Sequence, residues 1–455
     1  MSYYFIGIGG AGMSVVAELL LAEGETISGS DARASDVTTY LAGLGVTVFI
    51  GQDSANVPDD AIVVISSAIR ESNPELAISR MRGQQILHRS QALALAAKGR
   101  DFVAVAGAHG KTTTSAMLAT AIRTMGGDPS WAIGGHVTGV GAGGHLGGGS
   151  VFVAEADESD ASFLNYAPRI EIVTNVEPDH LDHYGTPEAF EEAFVQFSHR
   201  LVPGGLLVAC ADDPGSARLA VRALDDGIRV VTYGRCEAIS GAERHVRITA
   251  ESHLAGRARG TLTDASGDVD LELGVVGAHN LLNAAGAWAA ATELGYGGAD
   301  VARALESFSG TGRRFEIRGE AGGITVIDDY AHHPTEVRAT LEAAREYAGT
   351  GRVIALFQPH LYTRTRNFAS QFADSLSLAD RAIVTSVYAA REDPVPGVEG
   401  HLICDVMESG EFIADMTEAA QAAADGAQPG DVVLTIGAGD VTELGPVILD
   451  RISER

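Results

Sequence analysis

From its first residues the chain alternates short apolar runs with longer amphipathic stretches. Tyr3–Ile6 is unbroken by a charge, glycines follow, and a helical period continues through Leu21. Further apolar runs lie near Thr26–Ser28, ending at Asp31, then at Val46–Ile50 and Ala61–Ile65. Strand, helix and strand in that rhythm predict a parallel sheet. From residue 99 the runs at 102–106, 151–154, 170–174, 206–210 and 230–233 are predominantly apolar, as in strands covered on both faces. Between about 245 and 276 the pattern changes to short alternating segments such as His245–Thr249, which predicts an antiparallel addition. A helix over Asn280–Glu293 closes this block.

Gly310-Thr311-Gly312 reads as a hinge, and the alternation then resumes. Strands are expected at Ile324–Ile327, Val353–Phe357, Ala382–Thr385 and Val432–Ile436. Helices are expected over Pro334–Tyr347, to about Leu378, and at the end of the chain. The expected fold is α/β in three domains, 1–98, 99–312 and 313–455, each built on a largely parallel sheet. The first and third are Rossmann-like, and the central one, whose Gly110-Lys111-Thr112 follows an apolar strand, is a P-loop-type ATPase domain with an antiparallel addition.

Composition sharpens this picture. A chain of 455 residues with 45% hydrophobic positions can bury several cores, and 55 glycines suit tight loops around ligands. The net charge of −28 argues against nucleic acid or an anionic membrane as partner. It also means that an anionic ligand must be held by local devices. Three scattered cysteines without metal spacing, and no signal segment or membrane-length apolar run, predict a soluble protein of the cytoplasm.

Lysine occurs just at 98 and 111. Lys111 lies in Gly107-Ala108-His109-Gly110-Lys111-Thr112-Thr113-Thr114, between an apolar strand and a helix. Backbone N–H groups and a helix N-terminus in that arrangement cradle phosphates, with lysine at the terminal phosphates and the Thr112 hydroxyl available to Mg²⁺. Val105 stands where the first glycine of the full P-loop pattern belongs. An earlier loop has glycines at 7, 9 and 12, with acidic Asp31 where a dinucleotide fold places its ribose ligand. By itself that loop suits NAD or any diphosphate-bearing nucleotide, and the second nucleotide loop lowers the odds of redox chemistry.

Other polar clusters sit at strand ends. Glu155-Ala156-Asp157-Glu158-Ser159-Asp160 offers the carboxylate expected to hold Mg²⁺ beside a phosphate loop. Thr174-Asn175 through Glu177-Pro178-Asp179-His180 suits metal or substrate chemistry, or a capping turn. Asn280 and Asn283 suit a helix cap or an adenine edge, and Arg313-Arg314 suits a phosphate. Asp328 through Glu336 and Gln358 through Arg366 follow apolar strands, where open sheets bind ligands.

In their order, these motifs resemble the Mur ligases over essentially the whole chain. The opening Gly7-Ile8-Gly9-Gly10-Ala11-Gly12-Met13 and Asp328-Asp329-Tyr330-Ala331-His332-His333-Pro334 resemble the alanine-adding member in particular. The resemblance implies ATP-dependent joining of L-alanine to UDP-N-acetylmuramate, with two Mg²⁺ ions, in cytoplasmic peptidoglycan synthesis. The alternative is a recycling ligase that adds a preformed peptide to the same acceptor. A monomer or weak homodimer is expected.

The resemblance further implies roles for single residues. Gly9, Gly10, Ala11, Gly12, Asp31 and Asn175 would serve the UDP-substrate. Gly107, Ala108, His109, Gly110, Lys111, Thr112, Thr113, Asn280, Asn283, Arg313, Arg314 and Asp329 would serve ATP. Thr112, Glu155 and His180 would bind metal, and Tyr330, His332, His360 and Arg364 would line the alanine end. Lys111, His180, Arg314, His332 and Arg364 are the expected catalytic set. Two departures stand out. Leu361 replaces an arginine common in the family, and Gly139–Gly143 lacks an asparagine associated with its loop. Some Mur ligases carboxylate a lysine in the central domain; this chain has no lysine after Lys111 to modify.

Overall fold

The computed structural model describes residues 1–134, 143–254, 257–390 and 392–455. The glycine-rich positions 139–142 lie outside the described residues. Three sheets make three α/β domains, and Cα proximity groups the chain into two compact units. The first unit holds Met1–Ala250, Gly260–Glu272 and Leu282–Phe308; the second holds Glu251–Arg259, Leu273–Leu281 and Ser309–Arg455.

The N-terminal sheet, in the first unit, has the order Thr47–Ile50, Thr26–Asp31, Ser2–Ile6, Ile62–Ile65, Ile86–His88, all parallel. Ser2–Ile6 lies between strands that follow it in the chain, so its C-terminal end is the point where strand order reverses, the usual ligand crevice of such sheets. The first glycine loop leaves from that end. Ile86–His88 did not stand out in the sequence because it has just three residues, all half-buried.

The ten-stranded central sheet is parallel through its middle. Asp101–Ala106 lies between Val151–Glu155 and Ile170–Val173, and Leu206–Cys210 and Arg229–Gly234 continue beyond the latter. Its middle strands are almost wholly buried, which accounts for their apolar runs. The addition expected after residue 245 is present as Arg244–Leu254, Arg257–Asp264 and Gly267–Leu273, in succession at one edge. At the other edge Gly144–His145 runs antiparallel to Ser130–Ala132. The phosphate-loop helix Lys111–Thr124 is buried from Thr114 to Ile122. One hydrophobic cluster runs from Tyr3 and Leu20 beneath the first sheet to Phe102, Phe152 and Phe194 beneath the second.

The sheet of the second unit has the order Glu316–Ala321, Ile324–Asp329, Val432–Ile436, Val353–Phe357, Arg381–Val384, Gly410–Phe412. All neighbours are parallel but the first pair, an antiparallel hairpin closed by Gly322 and Gly323, both at positive φ. The edge strand Glu316–Ala321 was not legible as a strand: an exposed edge needs little apolar surface, and four of its six residues are polar or glycine.

Candidate functional site

The first glycine loop is tied to the strand beside it. Gly7 N and Ile8 N both donate to Ser30 O at 2.8 Å, with Gly7 at φ +80°. Helix Ala11–Ala22 then starts from Gly10 without a side-chain cap, so its first N–H groups point out of the loop unspent on protein side chains. Asp31, expected at the substrate ribose, is bonded to the loop itself, its Oδ2 accepting from Gly9 N at 2.9 Å. Arg89, the first residue of helix Arg89–Ala96, crosses the same loop. A Cβ on Gly12 would lie 2.8 Å from its guanidinium Nη1. The other end of that guanidinium pairs with Asp157.

The second loop is held more tightly. Gly107 at φ +133° leaves no room for a side chain, which would strike the Thr174 hydroxyl; a Cβ on Gly110 would lie 2.6 Å from Asn283 Oδ1. Asn175 grips His109 from both sides, accepting from His109 N and donating to His109 O, each at 3.0 Å. Asn175, expected at the UDP-substrate, is thus placed against the phosphate loop. His109 Nε2 lies 3.0 Å from Glu177 Oε2.

Lys111 Nζ folds back over the loop. It donates to Gly107 O at 2.6 Å and Ala108 O at 3.3 Å, and pairs with Glu158 Oε1 at 2.9 Å. Burial works against the lysine's charge, but Glu158 outweighs it and holds the pKa above the ordinary value. Glu158 itself is raised above the usual carboxyl range, because burial outweighs the pull of Lys111. Burial also opposes ionisation of Asp157, yet Arg89 and Lys111 bring that carboxyl well below its ordinary range. An ion-pair chain therefore links the two glycine loops: Arg89 to Asp157, then Lys111 to Glu158.

His180 sits at φ +51°, with Nε2 3.6 Å from Asp179 Oδ2 and 3.9 Å from Glu158 Oε1. Glu155 ends its strand, and its Oε1 accepts from Gly134 N at 2.7 Å. Glu158 Oε2 is buried with no hydrogen-bond partner among the described residues. An orphaned carboxylate oxygen with the carboxylates of Asp157 and Glu155 nearby fits a hard, oxygen-seeking divalent cation.

The second unit presents a different surface. Arg313 and Phe315 both sit at positive φ, and their strain re-aims the chain just before Glu316–Ala321. Arg313 is held inside the unit, donating from Nε to Asp328 Oδ2 at 3.1 Å and from Nη2 to Gly437 O at 2.6 Å. Arg314 pairs with Glu336 Oε1 at 3.3 Å, and both guanidinium groups stack on Tyr330 at 4.9 and 5.3 Å. Asp329 accepts from Phe315 N and Ala331 N, both at 2.8 Å. Burial raises its pKa to about 6, against the opposing pull of Arg314.

Rings continue from there. Tyr330, His332 and His360 follow one another edge-to-face with centroids 5.3 and 5.7 Å apart, and His360 stacks on Tyr388 at 5.7 Å. His332 Nδ1 lies 3.0 Å from Tyr330 O and 3.2 Å from Glu336 Oε2, two acceptors. These two acceptors favour the tautomer that carries its hydrogen on Nδ1. Arg364, in the first turn of helix Tyr362–Leu376, is buried and brings Nη1 to 3.3 Å from His360 Nδ1. Leu361 is buried too, at φ +69°.

Models of three Mur ligase domains match the chain in sequence: the Mur ligase family catalytic domain over 2–101, the middle domain over 105–291, and the glutamate ligase domain over 313–439. UDP-N-acetylmuramate–L-alanine ligase of Kineococcus radiotolerans is 52% identical over 99% of this chain and 96% of its own length. The protein of the same name from Renibacterium salmoninarum is 51% identical over the same shares. The chain belongs to the Mur ligase family. Among solved structures, the UDP-N-acetylmuramate–alanine ligase of Thermotoga maritima superposes with a TM-score of 0.81 at 29% identity, covering 100% of this chain and 99% of that one. A murein peptide ligase from Psychrobacter arcticus, at 24% identity and a TM-score of 0.72, shares the fold.

In this Mur ligase the structure brings together Lys111, Glu155 and His180 around Glu158 in the first unit. It brings together Tyr330, His332, His360 and Arg364 in the second. Asn280 donates to Val276 O at 2.7 Å, a bond within its own turn, while Asn283 lies against Gly110. Sequence reasoning missed Arg89, Glu158, Tyr388 and Glu392. The last accepts from Thr363 N at 3.0 Å and from the Thr363 hydroxyl, capping the helix that carries Arg364. Tyr388 and Glu392 follow the strand Arg381–Val384, so the strand-end rule that found the other clusters would have found them.

Proposed function

We propose that this Mur ligase joins L-alanine to the lactyl carboxylate of UDP-N-acetylmuramate, driven by ATP, as a step of peptidoglycan precursor synthesis in the cytoplasm. The observation that carries the reading is the full-length likeness, at about half identity, to ligases of that name. The described residues include no helix long and apolar enough to cross a membrane.

The chemistry asks for two bond exchanges. A carboxylate oxygen attacks the γ-phosphorus of ATP, the β–γ bridging bond breaks, and ADP leaves an acyl phosphate. The amine of alanine then attacks the acyl carbon, sheds a proton, and phosphate departs. Both nucleophile and ATP are anions on a chain of net charge −28, so the cations must be local. Lys111, held over the loop carbonyls, supplies one, and Arg314 supplies another in the second unit. Thr112, Glu155 and His180, with Glu158 beside them, would hold Mg²⁺, which offsets phosphate charge when bound. Gly9 to Gly12 and the open start of helix Ala11–Ala22 would receive the substrate diphosphate.

Alanine's carboxylate fits Arg364, whose guanidinium can meet both oxygens. In the tautomer of His332 with its hydrogen on Nδ1, Nε2 is the lone-pair nitrogen, suited to take the proton that the amine sheds. The test is phosphate release from ATP with UDP-N-acetylmuramate, comparing alanine, glycine, serine and a tripeptide. Alanine is expected to give the largest kcat/KM. Preference for the tripeptide would assign the chain to the recycling reaction instead.

A further inference from the structure

The segment after strand Arg381–Val384 is built onto the alanine-binding face residue by residue, although no motif of the known reaction draws attention to it. Tyr388 N donates to Pro359 O at 2.8 Å, and Leu361 N donates to Tyr388 O at 2.9 Å, so Tyr388 is bridged to His360 as in a parallel sheet. Its ring stacks on His360 with the planes 18° apart. On another side Gly439 admits it by lacking a side chain: a Cβ there would lie 2.6 Å from Tyr388 Cγ. Tyr388 is fixed in backbone and ring, yet 37% exposed. A large aromatic so firmly placed and still open on one side makes a rigid wall, since fixing its two torsions has already cost the entropy that a floppy side chain would lose on binding.

His360 ties the two together: its Nδ1 lies 3.3 Å from Arg364 Nη1 and its ring stacks on Tyr388. A carboxylate bonded to Arg364 at about 2.9 Å, with a carbon–oxygen bond of about 1.2 Å and two carbon–carbon bonds of about 1.5 Å each beyond it, reaches up to about 7 Å from the guanidinium, the scale of the step past His360 to the Tyr388 ring. In such a pose the Cβ of the amino acid would meet the tyrosine ring, with the amine pointing elsewhere.

We propose that Tyr388 is a specificity-determining residue: its ring closes the amino-acid site against the substrate side chain and limits it to about the size of a methyl group. This rests on the reading that places the alanine carboxylate at Arg364. The wall discriminates by collision, because a side chain one methylene longer must displace a ring pinned by His360 and Gly439.

The full-length enzyme is assayed as wild type, Tyr388→Ala, Tyr388→Leu, Tyr388→Phe and Arg364→Ala, with alanine, 2-aminobutyrate and valine. Removing the wall in Tyr388→Ala should raise the kcat/KM ratio of 2-aminobutyrate to alanine about tenfold or more, the usual value of one methylene in a pocket. Tyr388→Leu should shift the ratio the same way by less, and it carries the test if the alanine variant does not fold. Tyr388→Phe should keep the wild-type ratio, and KM for ATP should hold in all three. Unchanged ratios in Tyr388→Ala and Tyr388→Leu, with alanine KM raised in Arg364→Ala, overturn the wall and keep the site. A change in Tyr388→Phe as large as in Tyr388→Leu overturns it too, by assigning the effect to the hydroxyl. Unchanged alanine KM in Arg364→Ala moves the carboxylate elsewhere and takes the wall with it.

Discussion

Lys111 and Glu158 form a 2.9 Å ion pair over the phosphate loop, with 17% and 2% of their side chains exposed. The lysine is positioned before any phosphate arrives, by a carboxylate whose own second oxygen remains orphaned. Binding of ATP with a cation would re-partner both groups at once, a preorganised exchange with little side-chain entropy left to lose.

Replacing Lys111 with alanine should lower turnover by about 10²–10³-fold, the usual loss on deleting one preorganised charge-stabilising donor. UDP-N-acetylmuramate binding, measured by calorimetry, should persist, because the first glycine loop is built from separate strands. An equal collapse of that affinity would show that the two loops do not bind independently.

Arg364→Ala should raise KM for alanine far more than KM for ATP. Arg364→Lys should recover part of the loss, since a point charge replaces a planar fork. Leu361, apolar and buried, cannot share the task. The check is a pair of saturation curves for each variant, and equal effects on the two KM values would contradict the assignment.

Glu171 predicts a pH dependence of stability. It lies in strand Ile170–Val173 on the face of Ala104 and Leu207, fully buried, and neither carboxyl oxygen has a hydrogen-bond partner among the described residues. Burial raises its pKa well above the ordinary value. In the unfolded chain it titrates near 4.3. Its contribution is therefore most favourable below about that pH and declines as pH rises toward the folded-state value. Glu171→Leu should stabilise the protein more at pH 8 than at pH 5, at about 1 °C of Tm per kcal/mol for a chain of this length. An identical Tm offset at the two pH values would contradict it.

With no lysine after Lys111, no later side chain can carry a carbamate. Activity should be the same in carbon-dioxide-depleted buffer and with added bicarbonate. A bicarbonate requirement would assign the cation site ligands that this chain does not have.

Much of the fold was legible because buried parallel strands announce themselves. Leu206–Cys210 and Val353–Phe357 are wholly buried, and every position is apolar or small. Glu316–Ala321 was not legible, because an edge strand is held by backbone bonds that leave no trace in residue type. The site divides in the same way. Lys111 and Arg364 were visible as rare or clustered side chains after strands. Glu158 was quoted within its acidic run but given no role, since spacing alone cannot tell which of four neighbouring acids turns inward. Arg89 was invisible because its significance lies in Gly12, 77 positions earlier, whose missing side chain makes room for it.

The seam between the first two sheets bears on how such enzymes can be recombined. Arg89 reaches Asp157, the Ser67 hydroxyl reaches Asp160, His88 Nε2 lies 3.6 Å from Asp160 Oδ2, and Asn165 donates to Ser90 Oγ at 2.8 Å. Each contact joins a residue before position 98 to one in the Glu155–Asn165 segment. A donor sequence grafted as residues 1–98 would meet two carboxylates made for another protein's arginine and serine. Residues 1–98 are thus no interchangeable cartridge: a working chimera would need partners for Asp157, Asp160 and Asn165 in the grafted segment.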